Sequence, residues 1–186
     1  MSKIFPNLDK DSTLFCMIDM QEKLVPAMSN QETLLKKTTL LLNGLKEIDV
    51  KLAVTEQYPK GLGPTLQELK DILIDNTPII EKNSFSVFGS EDFNKLVANN
   101  GIQTIVFWGI ESHVCLLQSV LDARKENLNV IIIGDAVSSR FATEVATALE
   151  CAKTAGAWVI GTETLLFMLM KSSAHSAFKA VSKLVR

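Results

Sequence analysis

A chain of 186 residues, 47% hydrophobic and 22% charged, holds material for one domain with a substantial core and is short for two. Its formal net charge of −2 offers no footprint for nucleic acid or an anionic membrane surface, and no run reaches the roughly 18 apolar residues of a membrane-spanning helix. Three widely spaced cysteines make no disulfide framework, and two distant histidines without HxH, HExxH or CxxC spacing give a transition metal little to bind.

The opening segment MSKIFPNLDKDS lacks the apolar core of a secretory signal and contains acidic residues, unlike a transit peptide, so a reducing cytoplasm is the expected location. Residues 13–18 (TLFCMI) read as a buried strand, and 32–48 as an amphipathic helix. A second strand follows at 51–55, then a turn-rich loop at 58–64 (YPKGLGP) and a short helix at 65–73. A short third strand at 78–81 precedes a helix at 91–99. Residues 104–108 (TIVFW) have the β-branched and aromatic density of a buried strand, and 114–127 carry helical spacing. NVIIIG at 129–134 is the clearest buried strand, followed by a helix at 143–155, a sixth strand at 158–161 and a helical tail from Glu163.

Six strands alternating with helices predict a single α/β domain over residues 1–186, with a mostly parallel sheet covered on both faces. Right-handed crossovers then bring all the strand carboxyl ends to one edge, where open parallel sheets collect their sites. Three polar groups lie at or just past strand ends: Asp19, Lys82 and Cys115. Each has an ordinary reading alone: a turn-forming aspartate, a lysine in a solvated pair with Glu81, and a small buried residue under a helix. Cys115 also stands where a helix begins, and unpaired amides there lower a thiol pKa. Together the three have the parts of a covalent hydrolase, with a carboxylate base, a cation and a nucleophile. Spacing alone does not show that they meet.

The segments CMIDMQ, EKNSFSVF and GIESHVCLLQSVLDA, in that order and spacing, resemble the isochorismatase-like cysteine hydrolase family. The loop TEQYPKGLGPT at 55–65 and GDAVSSR at 134–140 are similar to the branch of isochorismatase domain-containing proteins. The resemblance implies a three-layer α/β/α fold with a six-stranded parallel sheet, assembled as homo-oligomers. It implies Asp19 as general base, Lys82 as its cationic partner and Cys115 as nucleophile. It further implies a cis peptide before Glu111, with the Glu111 and Cys115 amides forming an oxyanion hole. Gln21, Tyr58, Phe85 and His113 are expected pocket residues by position. Nicotinamidase-type relatives carry an Asp-x-His metal motif after the second strand, where this chain has Glu56-Gln57-Tyr58. No metal and no other cofactor is therefore expected. Isochorismatases proper lack a cysteine at the position of Cys115, so its presence favours acyl transfer to sulfur over vinyl ether cleavage.

The remaining notable residues have structural readings. Cys16 belongs to the core, Cys151 to a helix face or interface, and His175 to the surface or an interface. Asp135 is expected to hold the loop that follows it through backbone N–H groups. Phe167, Met168 and Met170 form an apolar cluster suited to core or subunit contact. Two functions follow: a metal-independent hydrolase of a small amide or related acyl compound working through a thioester, or a catalytically silent binding or scaffold protein on the same fold.

Overall fold

The computed structural model describes residues 4–186; residues 1–3, part of the opening segment read above as free of targeting signals, lie outside the described residues. Six strands form one sheet: β1 (Thr13–Ile18), β2 (Lys51–Gln57), β3 (Ile79–Lys82), β4 (Thr104–Gly109), β5 (Asn129–Val137) and β6 (Trp158–Ile160). Every pairing is parallel and the order is β3-β2-β1-β4-β5-β6. β1 and β4 are buried along their whole lengths, as parallel strands covered on both faces must be.

The helices are α1 (Gln31–Ile48), α2 (Pro59–Leu62), α3 (Gln67–Lys70), α4 (Glu91–Asn99), α5 (Leu117–Lys125), α6 (Ala142–Thr154), α7 (Thr162–Met170) and α8 (Phe178–Leu184). α1 buries Leu34, Thr38, Leu41, Leu42, Leu45 and Ile48, a stripe at helical spacing, and packs against α7 and α8. α5 packs against α6. The crossovers from β1 to β2 and from β4 to β5 run in opposite directions along the sheet, so right-handed connections put α1 and α5 on opposite faces. The strand order reverses between β1 and β4, which opens a crevice at their carboxyl ends.

Several boundaries differ from the sequence reading. β2 continues to Gln57 and β3 to Lys82, because these two buried polar residues pair across the strands and extend the ladder. The helix expected at 65–73 is one turn, Gln67–Lys70, and the loop before it contains the turn Pro59–Leu62. β5 extends past Gly134 to Val137, with its register to β4 shifting between Phe107 and Gly109. Asp135 therefore lies inside a strand. Its carboxylate reaches across to α7, accepting from Thr162 N and Oγ1 at 2.8 Å each, and pairs with Lys37 at 3.0 Å. It anchors a distant helix start, not its own loop.

Candidate active site

β1 ends at Ile18, and Asp19 turns with φ 52°, a left-handed conformation that aspartate tolerates better than most residues. Its fully buried carboxylate accepts from the Thr55 hydroxyl at 2.6 Å and from the Lys82 ammonium at 2.7 Å, one on each oxygen. Register sets Gln57 beside Lys82, and the left-handed turn at Asp19, one residue past the partner of Thr55, brings its carboxylate to Thr55 and Lys82. Thr55 pairs with Ile18 across β1 and β2, and Gln57 pairs with Lys82 across β2 and β3. Paired residues of neighbouring parallel strands project to the same face. Lys82 also donates to Gln57 Oε1 at 2.7 Å and to the carbonyls of Phe85 and Ser84 at 3.2 and 3.4 Å. Its buried charge is thus paired with a carboxylate and solvated by three oxygens, which burial of an ammonium demands.

Cys115 sits in a π turn, Ser112–Leu116, and the α-helix proper begins at Leu117. The Leu116 N–H donates to Glu111 O at 3.2 Å, five residues back, and such turns concentrate at functional sites. The sulfur lies 3.9 Å from Gln57 Oε1. Ser119 ties this turn to the segment after Lys82: its hydroxyl donates to Cys115 O at 2.6 Å and accepts from Val87 N at 3.0 Å. The structure therefore brings Asp19, Lys82 and Cys115 into one hydrogen-bonded cluster through Gln57.

The thiol differs from the sequence expectation. Burial, and then the Asp19 charge, outweigh the Lys82 ammonium, and the Cys115 thiol is pushed up to about 12. Desolvation of a thiolate beside an anion overrides helix-end amides, so the resting sulfur keeps its proton.

β4 ends at Gly109, with φ 107°, where a Cβ would stand 2.1 Å from Ile18 O. Only glycine lets β4 press against the end of β1 here. The Ile110–Glu111 peptide is cis. Ser112 fastens the chain to the residue just past β5, its N–H and hydroxyl both donating to Ser138 O at 2.8 and 2.9 Å. The Glu111 carboxylate accepts from Arg140 Nε at 3.1 Å and from Arg140 N at 3.2 Å.

The expected pocket residues divide. Gln21 is fully buried with its amide occupied by backbone: Nε2 donates to the Gln57 and Gly63 carbonyls at 2.9 and 2.6 Å, and Oε1 accepts from Gln57 N at 2.7 Å. It ties the end of β2 to the loop at Gly63, and both its amide hydrogens are taken. Tyr58 and Phe85 are 54% and 52% exposed. His113 is half-buried, its Nδ1 2.9 Å from the Ser139 hydroxyl. A cavity of about 410 Å³ opens beside Lys82, lined by Tyr58, Lys60, Glu81, Asn83, Ser84 and Ser90 among others, and the Cys115 sulfur lies outside its wall.

Glu56, in the Glu56-Gln57-Tyr58 segment that lacks an Asp-x-His motif, has a buried carboxylate that accepts from Thr65 N at 2.7 Å and pairs with Lys70 at 3.5 Å. That carboxylate is committed to a loop and a lysine, and among the described residues no three histidine, cysteine or acidic side chains cluster as metal ligands would. Cys16 is core, Cys151 is exposed on α6, and His175 Nδ1 accepts from Ala177 N at 3.1 Å. Phe167 and Met168 are exposed, whereas Met170 is buried. Sequence reading missed Thr55, Gln57 and Ser119. The alternation of β2 puts Thr55 and Gln57 on one face, but only the register shows that this face meets Asp19 and Lys82.

The family model described as the isochorismatase domain matches residues 13–164. Isochorismatase family protein 1A of Dictyostelium discoideum is 35% identical over 178 residues, covering 94% of this chain and 86% of that protein. Isochorismatase domain-containing protein 1 of Danio rerio is 32% identical over 180 residues, covering 97% of this chain and 63% of that protein. Among solved structures, the MAR1 ribonuclease of Caenorhabditis elegans superposes with a TM-score of 0.90 at 33% identity, covering 97% of this chain and 92% of that one.

Proposed function

The chain belongs to the isochorismatase family and has its hydrolase fold, and from that premise we propose a metal-independent cysteine hydrolase acting on a small amide or related acyl compound. The observation that carries this reading is the buried chain of contacts from Thr55 through Asp19 and Lys82 to Gln57 and the Cys115 sulfur. A lone structural cysteine has no need of a buried ion pair beside it.

In this mechanism Asp19 takes the thiol proton as the sulfur attacks the substrate carbonyl, so that no free thiolate need accumulate. The carbonyl electron pair moves onto oxygen, where the Glu111 and Cys115 amides stabilise it as an oxyanion hole. Collapse expels the amine, protonated by Asp19, and leaves a thioester on Cys115. Water activated by Asp19 then releases the acid and restores the thiol. Lys82 stays charged throughout and holds Asp19 in place. Tyr58, Phe85 and His113 shape the substrate's approach. The committed Glu56 carboxylate supports a mechanism without metal.

The test is a Cys115→Ala variant assayed on a panel of small amides, with mass spectrometry of the wild-type protein for an acyl adduct. Loss of turnover, with an adduct on the Cys115 peptide of the wild type, is expected; unchanged turnover in the variant overturns the reading. The second reading is a catalytically silent binding or scaffold protein of the same fold. It is favoured by a thiol pushed up to about 12 and by the exposed aromatics Tyr58 and Phe85. Absence of any acyl adduct across the panel would select it.

The exposed apolar side chains Phe141, Phe167 and Met168 support a homo-oligomer, within a single domain over residues 1–186. No helix among the described residues is long and apolar enough to cross a membrane. A cytoplasmic protein with a small-molecule substrate is the accompanying proposal. The net charge of −2 argues against nucleic acid as the substrate.

A further inference from the structure

Gln57 stands outside the proposed catalytic three, yet its side chain touches two of them. Its amide is oriented without ambiguity. Nε2 donates to Asn83 O at 2.9 Å, which leaves Oε1 to accept from the Lys82 ammonium at 2.7 Å. The reverse assignment would set an NH₂ against an ammonium and an oxygen against a carbonyl. The backbone beneath is clamped as well, its N–H and C=O both bonded to the Gln21 amide at 2.7 and 2.9 Å. A fixed acceptor oxygen therefore points at the Cys115 sulfur from 3.9 Å, within reach of a thiol donor.

We propose that Gln57 holds the proton of the resting Cys115 thiol: Oε1 accepts the S–H, and the sulfur remains a thiol until a substrate carbonyl enters and the S–H turns to Asp19. The proposal rests on Cys115 being the nucleophile. A hydrogen bond to the neutral form of an acid disfavours its ionisation, and the partial negative charge of an amide oxygen opposes a thiolate beside it. Two charged groups face the thiol: Asp19 from the end of β1 and Lys82 from β3. Asp19 opposes ionisation and Lys82 favours it. By also accepting from Lys82, Gln57 draws part of that ammonium's field away from the sulfur.

The proton balance is simple. Rotation about Cβ–Sγ moves the hydrogen from Oε1 toward the Asp19 carboxylate. The proton passes to that carboxylate and the S–H electron pair forms the bond to the carbonyl carbon. Gln57 ends unchanged, so it positions the nucleophile's proton and takes none. The arrangement leaves the sulfur poorly reactive toward solutes that do not fill the site.

The test is the pH profile of Cys115 alkylation by iodoacetamide, followed at the Cys115 peptide by mass spectrometry from pH 6 to 11. Gln57→Met keeps volume and removes the acceptor; Gln57→Glu keeps shape and adds an anion. Relative to wild type at pH 9, the Met variant is expected to alkylate at least tenfold faster and the Glu variant at least tenfold slower. Profiles that do not separate in this order, in either variant that retains its circular dichroism spectrum, overturn the proposal. Because the Glu variant can pair with Lys82, it keeps the test valid if the Met variant fails to fold. A shift in these profiles without an acyl adduct from any amide would instead show Gln57 holding the thiol proton and defeat only the hydrolase reading, together with the transfer to Asp19 that rests on it.

Discussion

Replacing Asp19 by Asn separates the chemistry of this site from its packing. Asparagine matches aspartate in shape and tolerates the left-handed φ of 52° at this position, so backbone strain is not introduced. What changes is charge. The Asp19 and Lys82 side chains are both fully buried and 2.7 Å apart, and removing one member of such a pair costs about 3–5 kcal/mol. Lys82 retains Gln57 Oε1 and the carbonyls of Ser84 and Phe85, which puts the cost toward the lower end. Against a domain stability of about 5–15 kcal/mol the variant stays folded at 25 °C, with Tm lowered by about 10 °C.

Two kinetic consequences then run in opposite directions. Turnover of any amide that acylates Cys115 should fall by about 10²–10⁴, the usual contribution of a general base. Alkylation of Cys115 at pH 8 should speed up. The neighbouring anion that opposes ionisation is gone, and the unpaired Lys82 ammonium becomes the counter-ion of the thiolate. Calorimetry, steady-state turnover and alkylation kinetics on one preparation give all three numbers. Turnover within tenfold of wild type would refute Asp19 as the base. Slower alkylation would refute the electrostatic account of the thiol.

Stability should fall on the alkaline side through the two buried thiols. Burial first, and then the Asp19 charge, raise both Cys16 and Cys115 in the folded protein, so their contribution is fully present below the unfolded thiol value of about 8.5 and is lost as pH rises toward the folded values. At pH 10 the loss is about 2 kcal/mol per thiol, and Cys16→Ala should shrink the difference between denaturant unfolding at pH 7 and pH 10 by that amount; an unchanged difference contradicts it. On the acid side, burial raises the Asp135 carboxyl, but hydrogen bonds from Thr162 and Lys37 outweigh it and hold the group below the ordinary aspartate range. Its contribution is present above about pH 3.9 and lost as pH falls through the folded value. Asp135→Ala should cost about 1 kcal/mol at pH 7 and less below pH 3, measured by thermal melts; an equal cost at both pH values counts against it.

Much of the fold is legible in the chain because the relevant physics is local. The apolar run of β1 and the spacing of α1 follow from covering a parallel sheet, and β1 and α4 match their sequence-read bounds residue for residue. Reading fails where a polar residue enters a strand for tertiary reasons. Lys82 extends β3 and Asp135 extends β5, each because a partner from elsewhere in the chain satisfies its charge. The single turn Gln67–Lys70 fell short of the helix expected there, whose later residues form turns instead.

The sequence by itself determined the α/β class, the alternation that sends six strand ends to one edge, and the three segments in which Asp19, Lys82 and Cys115 stand. Composition, period and motif order carry that information because each depends on neighbours along the chain. Only the tertiary structure decided that Gln57, and not Gln21, faces the thiol, and that Thr55 completes the Asp19 carboxylate. It also reversed the sign expected for Cys115, from a thiol lowered by helix amides to one pushed up to about 12. Strand register and burial set these outcomes, and both are fixed by segments dozens of residues apart in sequence that come together only when the sheet closes.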